Sequence, residues 1–168
     1  MNIQHLVRRS IRAILLCVIL APSIANAFDQ GRTSVTVLVS PARQLDRDYT
    51  ALGLRIGRYF VQDFEASVAI EAWRGNDPAI TKIVPELRYV YSRGGAVKPY
   101  GAIFVSRALF NGLPDRYTYG AKGGAYVTFH PSAHLGLGVN YERIESCDAS
   151  TYVKCRQLTP EIGLHFLF

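Results

Sequence analysis

The chain has 168 residues with 19 basic and 13 acidic side chains, which gives a formal net charge of +6. This excess is too mild to indicate a nucleic-acid-binding surface, so no nucleic-acid partner is predicted. Ten tyrosines, eight phenylalanines and an apolar share of 49% suit a single compact domain.

The first 27 residues have the pattern of a secretory signal peptide. Arg8 and Arg9 open a basic segment, residues 13–21 are apolar, and Ala25 and Ala27 form a small-x-small cleavage site. We therefore predict export by the general secretory pathway and a mature domain at 28–168, with 16 basic and 13 acidic residues. The apolar core is shorter than the roughly 20 residues of a membrane-spanning helix, so membrane insertion would have to use strands.

From Ser34 onward, apolar residues alternate with polar or small ones, which is the pattern of β-strands. Eight runs are predicted, each near the roughly 10 residues that a tilted strand needs to cross a bilayer. They are Ser34–Pro41, Thr50–Phe60, Phe64–Arg74, Thr81–Ser92, Tyr100–Phe110, Tyr119–Phe129, His134–Glu145 and Gln157–Phe168.

The two phases of these runs differ in chemistry. One phase is apolar, as in Leu52, Leu54 and Ile56, whereas the other is rich in glycine and charge, as in Arg55 and Gly57. Apolar-out and polar-in is expected of a transmembrane barrel, and a soluble lipocalin-like barrel, the structural alternative, would show the inverse. The fifth run, Gly101–Arg107, is ambiguous in phase, so Arg107 is assigned to neither side.

Turns and aromatic residues predict an orientation. The shorter connections would face the periplasm, and the segments Ala42–Tyr49, Gly75–Ile80, Asn111–Thr118 and Ser146–Arg156 would be surface loops. Eight aromatic residues lie near the periplasmic turns, which suits a membrane-interface girdle, although aromatic residues also favour strands in general. They are Tyr59, Phe60, Tyr89, Tyr91, Tyr100, Phe129, Phe166 and Phe168.

Several segments resemble a known family. The run Leu52–Phe60 with its turn into Phe64–Ala72, the segment Lys98–Gly101 and the terminal Phe168 are similar to the small outer-membrane β-barrels that include the transmembrane domain of outer membrane protein A. The resemblance implies an all-β, eight-stranded antiparallel transmembrane up-and-down β-barrel in a Gram-negative outer membrane. It also implies that Ile162, Leu164, Phe166 and Phe168 form a signal for the barrel-assembly machinery.

The inward phase supplies a candidate site. Its charged residues are predicted to pair across the lumen, because buried charges persist only when paired and hydrogen-bonded. They are Arg55, Glu65, Glu71, Glu86, Arg88, Lys122, Glu142 and Glu161. Eight strands leave an interior just wide enough for side chains, so we expect a filled lumen, with a narrow porin-like channel as the alternative.

Two cysteines remain after processing, in the last predicted loop. Cys147 and Cys155 are expected to form a disulfide, since the periplasm is oxidising. Two thiolates without a nearby histidine fall short of a metal site, and no metal or cofactor is predicted.

The histidines argue against catalysis. A lipid A-modifying enzyme would need a nucleophile and a base near the outer leaflet, whereas His130, His134 and His165 are predicted at the periplasmic side, far from Ser40 and Ser106. We therefore expect a monomeric, non-enzymatic barrel with a structural or adhesin-like role. Its predicted partners are outer-membrane lipid and lipopolysaccharide, the assembly machinery, and a host or surface ligand held by the loops.

Overall fold

The computed structural model describes residues 28–44, 47–76, 78–93, 95–110, 114–145 and 155–168. They form eight antiparallel strands, each paired with its neighbours in sequence, and pairing of the first with the last closes the barrel. The strands are β1 (Thr33–Gln44), β2 (Arg47–Val61), β3 (Phe64–Arg74), β4 (Ile80–Val90), β5 (Val97–Phe110), β6 (Arg116–His130), β7 (Ala133–Ile144) and β8 (Arg156–Leu167). The described part of the chain contains no helix long and apolar enough to span a membrane.

The two ends of the barrel are distinguished by their connections. The terminal end carries Phe28, Phe168 and the turns at 62–63, 91–96 and 131–132, and the loop end carries the connections at 45–46, 75–79, 111–115 and 145–155. The predicted loop Ala42–Tyr49 is wrong, because β1 and β2 pair as far as Gln44 and Arg47. Apolar alternation stops earlier than the backbone ladder does, since a strand beyond the apolar band no longer needs apolar side chains.

Side chains alternate between the two faces of the wall as predicted. Leu52, Leu54 and Ile56 are each about half exposed on the outer face, whereas Arg55 on the same strand is 1% exposed. The phase of β5, which was ambiguous in the sequence, is clear in the structure. Phe104 and Ser106 face inward, and Ile103 and Arg107 face outward. The outer face of the barrel is therefore apolar along the middle of its strands.

The lumen contains apolar layers as well as charges. At the terminal end lies an aromatic layer of Phe28, Tyr59, Val90, Tyr100, Tyr126 and Leu167. At the loop end lies an apolar layer of Ala42, Tyr49, Ala51, Trp73, Ile80, Ala108 and Phe110. A smaller cluster of Leu38, Ala69, Val84 and Phe104 packs between them. The inward phase, which the sequence pattern describes as rich in glycine and charge, is therefore apolar at both ends of the lumen.

The aromatic layer also corrects the predicted girdle. Phe60, Tyr89 and Phe129 are exposed on the outer face, but Tyr59 and Tyr100 are buried inside. Glycines make the room for such rings. A methyl group added at Gly124 would lie 2.9 Å from Cζ of Tyr100. Strand phase, rather than aromatic character, therefore decides which rings lie on the outer face of the barrel.

The seam between β1 and β8 is the shortest ladder in the barrel. It has six residue pairs, from Ser34 opposite Leu167 to Val39 opposite Ile162, whereas the β1–β2 ladder has twelve. Continued in the same register, the seam would place Pro41 opposite Pro160, and neither proline has an N–H to donate. The Ser40 hydroxyl instead donates to the carbonyl oxygen of Pro160 at 2.6 Å.

Candidate functional site: the charged lumen

A network of six charged side chains, the central network, crosses the middle of the lumen. Its members are Arg55, Arg88, Lys122, Glu65, Glu86 and Glu161, all of them buried. They come from strands β2, β3, β4, β6 and β8, each from the inward phase that the sequence pattern assigned. Three cations and three carboxylates balance, which is the condition under which buried charges are tolerated.

Glu86 is the hub of the central network. Its Oε2 lies 3.3 Å from Nη2 of Arg55 and 3.3 Å from Nζ of Lys122. Its Oε1 accepts a 3.0 Å hydrogen bond from Nε of Arg88 and also contacts Nη2 of that residue. One carboxylate on β4 thereby joins cations from three strands, Arg55 and Lys122 by ion pairs and Arg88 by hydrogen bonds. Charge-assisted hydrogen bonds such as those from Arg88 are about twice as strong as neutral ones.

Glu161 closes the other side of this arrangement. Its Oε2 accepts a 2.7 Å bond from Nζ of Lys122, and its Oε1 lies 3.4 Å from Nη2 of Arg55. Arg55 and Lys122 therefore each bridge the same two carboxylates. This closed ring leaves little freedom for any one charge to move without breaking two contacts.

Glu65 and Arg88 connect the central network to the terminal end. Glu65 accepts a hydrogen bond from the Ser34 hydroxyl and interacts electrostatically with Arg55 and Arg88. Arg88 donates from Nη1 to the Tyr126 hydroxyl, and its guanidinium carbon lies 4.6 Å from the ring centroid of Tyr100. The charges thus end directly against the aromatic layer.

A second, smaller network lies nearer the loop end. Nζ of Lys82 is 2.6 Å from Oε1 of Glu142, and Glu142 also accepts bonds from the Thr118 hydroxyl and, at 2.8 Å, from Nε2 of Gln157. Nζ of Lys82 lies 4.1 Å from the Trp73 ring centroid. The sequence prediction missed Lys82, although it shares the inward phase with Glu86 and Arg88.

Glu71, another predicted lumen residue, lies apart from both networks. It is half-buried and accepts a 3.1 Å hydrogen bond from Nε1 of Trp73. Among the described ion pairs, none includes Glu71, so Glu71 does not pair with the other predicted lumen charges. A cavity of about 10 Å³ adjoins it beside Ser40 and Glu161, which is about the room that one water needs.

The aromatic layer seals the terminal end around two histidines. His134 and His165 are fully buried with ring centroids 6.1 Å apart, and Phe28 packs over both at 5.0 and 6.2 Å. The Thr128 hydroxyl lies 2.9 Å from Nδ1 of His134, and the Thr36 hydroxyl lies 2.7 Å from Nδ1 of His165. Phe28, the first described residue, therefore closes the lumen from below.

The residues weighed as nucleophiles have other partners. Ser40 bonds to the Pro160 carbonyl, and the Ser106 hydroxyl lies 2.5 Å from that of Thr118. Within the described residues, no group of three or more histidine, cysteine, aspartate or glutamate side chains could hold a metal ion.

The remaining predicted residues lie at the edges of the described chain. Ile162, Leu164 and Phe168 are exposed on the outer face, and Phe166 is half-exposed there. Cys155 directly precedes β8 and is disulfide-bonded, while Cys147 and the cleavage-site residues Ala25 and Ala27 lie outside the described residues. Pairing of Cys147 with Cys155 and cleavage after Ala27 stay predictions.

Known structures share this architecture. No protein-family model and no curated protein matches the chain. The N-terminal β-barrel domain of Pseudomonas aeruginosa OprF matches 83% of this chain and 98% of its own at 12% identity, with a TM-score of 0.67. Neisserial surface protein A matches 82% of this chain and 96% of its own at 15% identity, TM-score 0.60. P. aeruginosa outer membrane protein OprG matches 85% of this chain and 98% of its own at 14% identity, TM-score 0.52. This chain is accordingly an eight-stranded transmembrane β-barrel with the fold of the small Gram-negative outer-membrane proteins.

Proposed function

We propose that the protein is a non-conducting, non-enzymatic barrel that contributes to the integrity of the outer membrane and presents its loops for contact at the cell surface. The observation that carries this proposal is the filled lumen. The central network spans the interior, with an aromatic layer below it and an apolar layer above it. An ion on this path would have to break buried ion pairs and then cross two apolar layers, and both steps are costly.

We propose no catalytic role, because the histidines and the candidate serine nucleophiles lie at opposite ends of the barrel. The buried histidines sit beneath Phe28 at the terminal end, while Ser40 and Ser106 lie toward the loop end with partners of their own. A nucleophile and its base need to be within hydrogen-bond reach of each other. With the terminal end facing the periplasm, the loops at 111–115 and 145–155 face the outside, where a surface ligand or lipopolysaccharide would meet them.

Export and assembly complete the proposal. The signal at 1–27 directs the chain to the general secretory pathway, cleavage after Ala27 frees Phe28 to enter the terminal end, and the outward row ending at Phe168 is read by the assembly machinery. A Cys147–Cys155 disulfide holds the last loop. Closing so short a loop contributes on the order of 2–3 kcal/mol. The barrel acts as a monomer.

Single-channel recording in planar lipid bilayers tests the proposal. The purified, folded protein is expected to insert without producing discrete conductance steps above the lipid baseline. A variant with Glu86→Ala, Phe28→Ala and Trp73→Ala serves as the comparison and is expected to show steps. It removes the hub of the central network, the aromatic closure and the largest ring of the loop-end layer. Regular steps from the unmodified protein would contradict the proposal and favour a narrow channel.

A further inference from the structure

A groove of about 770 Å³ crosses the lipid-facing surface of strands β2 to β5. Its walls are the outward side chains of Ile56, Val68, Leu87, Ile103 and Val105. Ala66 and Pro85 lie between these larger residues and form its floor. The groove exists because the compact side chains of Ala66 and Pro85 stand among larger, branched side chains at this place on the wall.

The groove rises from the terminal end toward the middle of the barrel wall. One row of cross-strand partners runs along it, from Arg58 to Ala66, Leu87 and Ile103. Arg58 lies three residues from the terminal end of β2, whereas Ile103 lies six residues into β5. The strands of a transmembrane barrel tilt by about 35–45°, so a row perpendicular to them climbs from the membrane interface into the hydrocarbon layer.

A cation stands at the lower end of the groove. The Arg58 side chain is exposed on the lipid-facing side and has no ion-pair or hydrogen-bond partner among the described residues. Thr33, also exposed, is its cross-strand partner. Below them is an aromatic group of Phe60, Phe64 and Tyr89, with ring centroids 6.3 and 4.8 Å apart. Aromatic rings of this kind mark the headgroup level of a bilayer.

The unpaired guanidinium has a chemical consequence. An arginine on the lipid face costs roughly 2–4 kcal/mol at the bilayer midplane and little near the interface. Its planar fork of donors matches the oxygens of a phosphate in a bidentate way. The phosphate of a phospholipid occupies this depth, and its acyl chain extends from there toward the bilayer centre, which is the direction that the groove takes.

We propose that this groove binds one glycerophospholipid from the leaflet that meets the terminal end, with its phosphate on Arg58 and one acyl chain lying over Ala66 and Pro85. The inference is independent of the proposed function, because it concerns only the outer surface of the barrel. Arg58 supplies the charge that selects a phosphate, and the compact floor residues Ala66 and Pro85 supply the space for the acyl chain.

Native mass spectrometry of the folded protein, mixed with phosphatidylglycerol and released from detergent micelles, tests the proposal. The unmodified barrel is expected to retain one phosphatidylglycerol. Arg58→Gln and, separately, Ala66→Leu should each lower the retained fraction at least about fivefold, a change of about 1 kcal/mol. Arg74→Gln and Ala72→Leu are matched controls, since both lie on β3 away from the groove, and they should retain lipid as the unmodified protein does.

Three results would overturn the proposal. Equal retention by Arg58→Gln and the unmodified protein would remove the phosphate contact, and equal retention by Ala66→Leu would remove the groove. Diacylglycerol, which lacks the phosphate, should be retained much less than phosphatidylglycerol, so equal retention of the two lipids would also count against it. Because all four substitutions are on the outer surface, a heat-modifiable shift on a detergent gel verifies that each variant is folded.

Discussion

Replacement of Glu86 by glutamine removes one negative charge from the centre of the lumen while keeping the size of the side chain. Arg55, Arg88 and Lys122 would then face two carboxylates, Glu65 and Glu161, instead of three. At 3.3 Å and an effective dielectric constant of about 20, each unit-charge pair is worth about 5 kcal/mol of attraction before desolvation is counted. Because desolvation cancels much of this, we expect Glu86→Gln to lower the free energy of unfolding by about 3–5 kcal/mol.

The measurement is urea unfolding of the barrel in phospholipid vesicles, followed by the fluorescence of Trp73, which is the one tryptophan in the chain. Trp73 packs in the loop-end layer and does not contact Glu86, so its signal reports folding rather than the local substitution. With an m value of about 2 kcal/mol/M, the midpoint should fall by about 2 M. Glu145→Gln, which changes an exposed carboxylate, should shift stability by less than about 0.5 kcal/mol.

A double variant separates charge balance from packing. Lys122→Met in the Glu86→Gln background leaves two cations with two carboxylates, so it should recover at least about 1 kcal/mol of the loss. If Glu86→Gln shifted stability no more than Glu145→Gln does, or if the double variant were less stable than the single one, the argument from a balanced buried network would be refuted.

Three further changes probe other parts of the barrel. Gly124→Ala should destabilise by about 1–3 kcal/mol in the same urea assay, because the added methyl group would lie 2.6 Å from Cα of Gly138. Gly123→Ala should leave stability unchanged, because a methyl group there would meet nothing within 4 Å. Equal destabilisation by Gly123→Ala and Gly124→Ala would contradict the packing argument. Phe28→Ala should lower the free energy of unfolding by about 3–5 kcal/mol, and Phe28→Leu by less than about 1.5 kcal/mol. A negligible effect of Phe28→Ala would show that the aromatic layer does not depend on the Phe28 ring. Phe168→Ala keeps the backbone bonds to Thr33. It should lower the heat-modifiable fraction of the protein in cells several-fold and leave refolding of the purified protein in detergent unchanged. An equal loss of refolding in detergent would indicate that Phe168 acts on stability and not on assembly.

The strands were predictable because the period of two is strong where one face meets lipid. The alternation Leu52, Leu54, Ile56 against Gly53, Arg55, Gly57 fixes both the element and its orientation. The prediction was ambiguous in β5, where Phe104 faces inward beside outward Ile103 and Val105. An apolar residue on both faces carries no phase signal, so only the neighbouring strands decide.

The strand phase indicates which face carries the lumen charges, but the prediction missed Lys82 and did not indicate which charges pair. Which cation meets Glu86 depends on how far each strand is staggered around the barrel, and single-strand patterns do not contain that stagger. Tyr59 and Tyr100 were placed outside because aromatic residues near turns suggest a girdle. Their strand phase indicates the interior, where the absence of side chains at Gly124 and Gly138 makes space for the ring of Tyr100.

The short ladder between β1 and β8 is the place where we expect the barrel to open first. The ladder between the first and last strands has six residue pairs, extended at the terminal end by the backbone bonds between Thr33 and Phe168. At the loop end, Pro41 and Pro160 have no N–H groups with which to continue it. Mechanical or thermal opening should therefore begin between Pro41 and Pro160 at the loop end and travel toward Ser34 and Leu167. The side of the wall formed by β5, β6 and β7, with its longer ladders, would then remain as an open curved sheet until last.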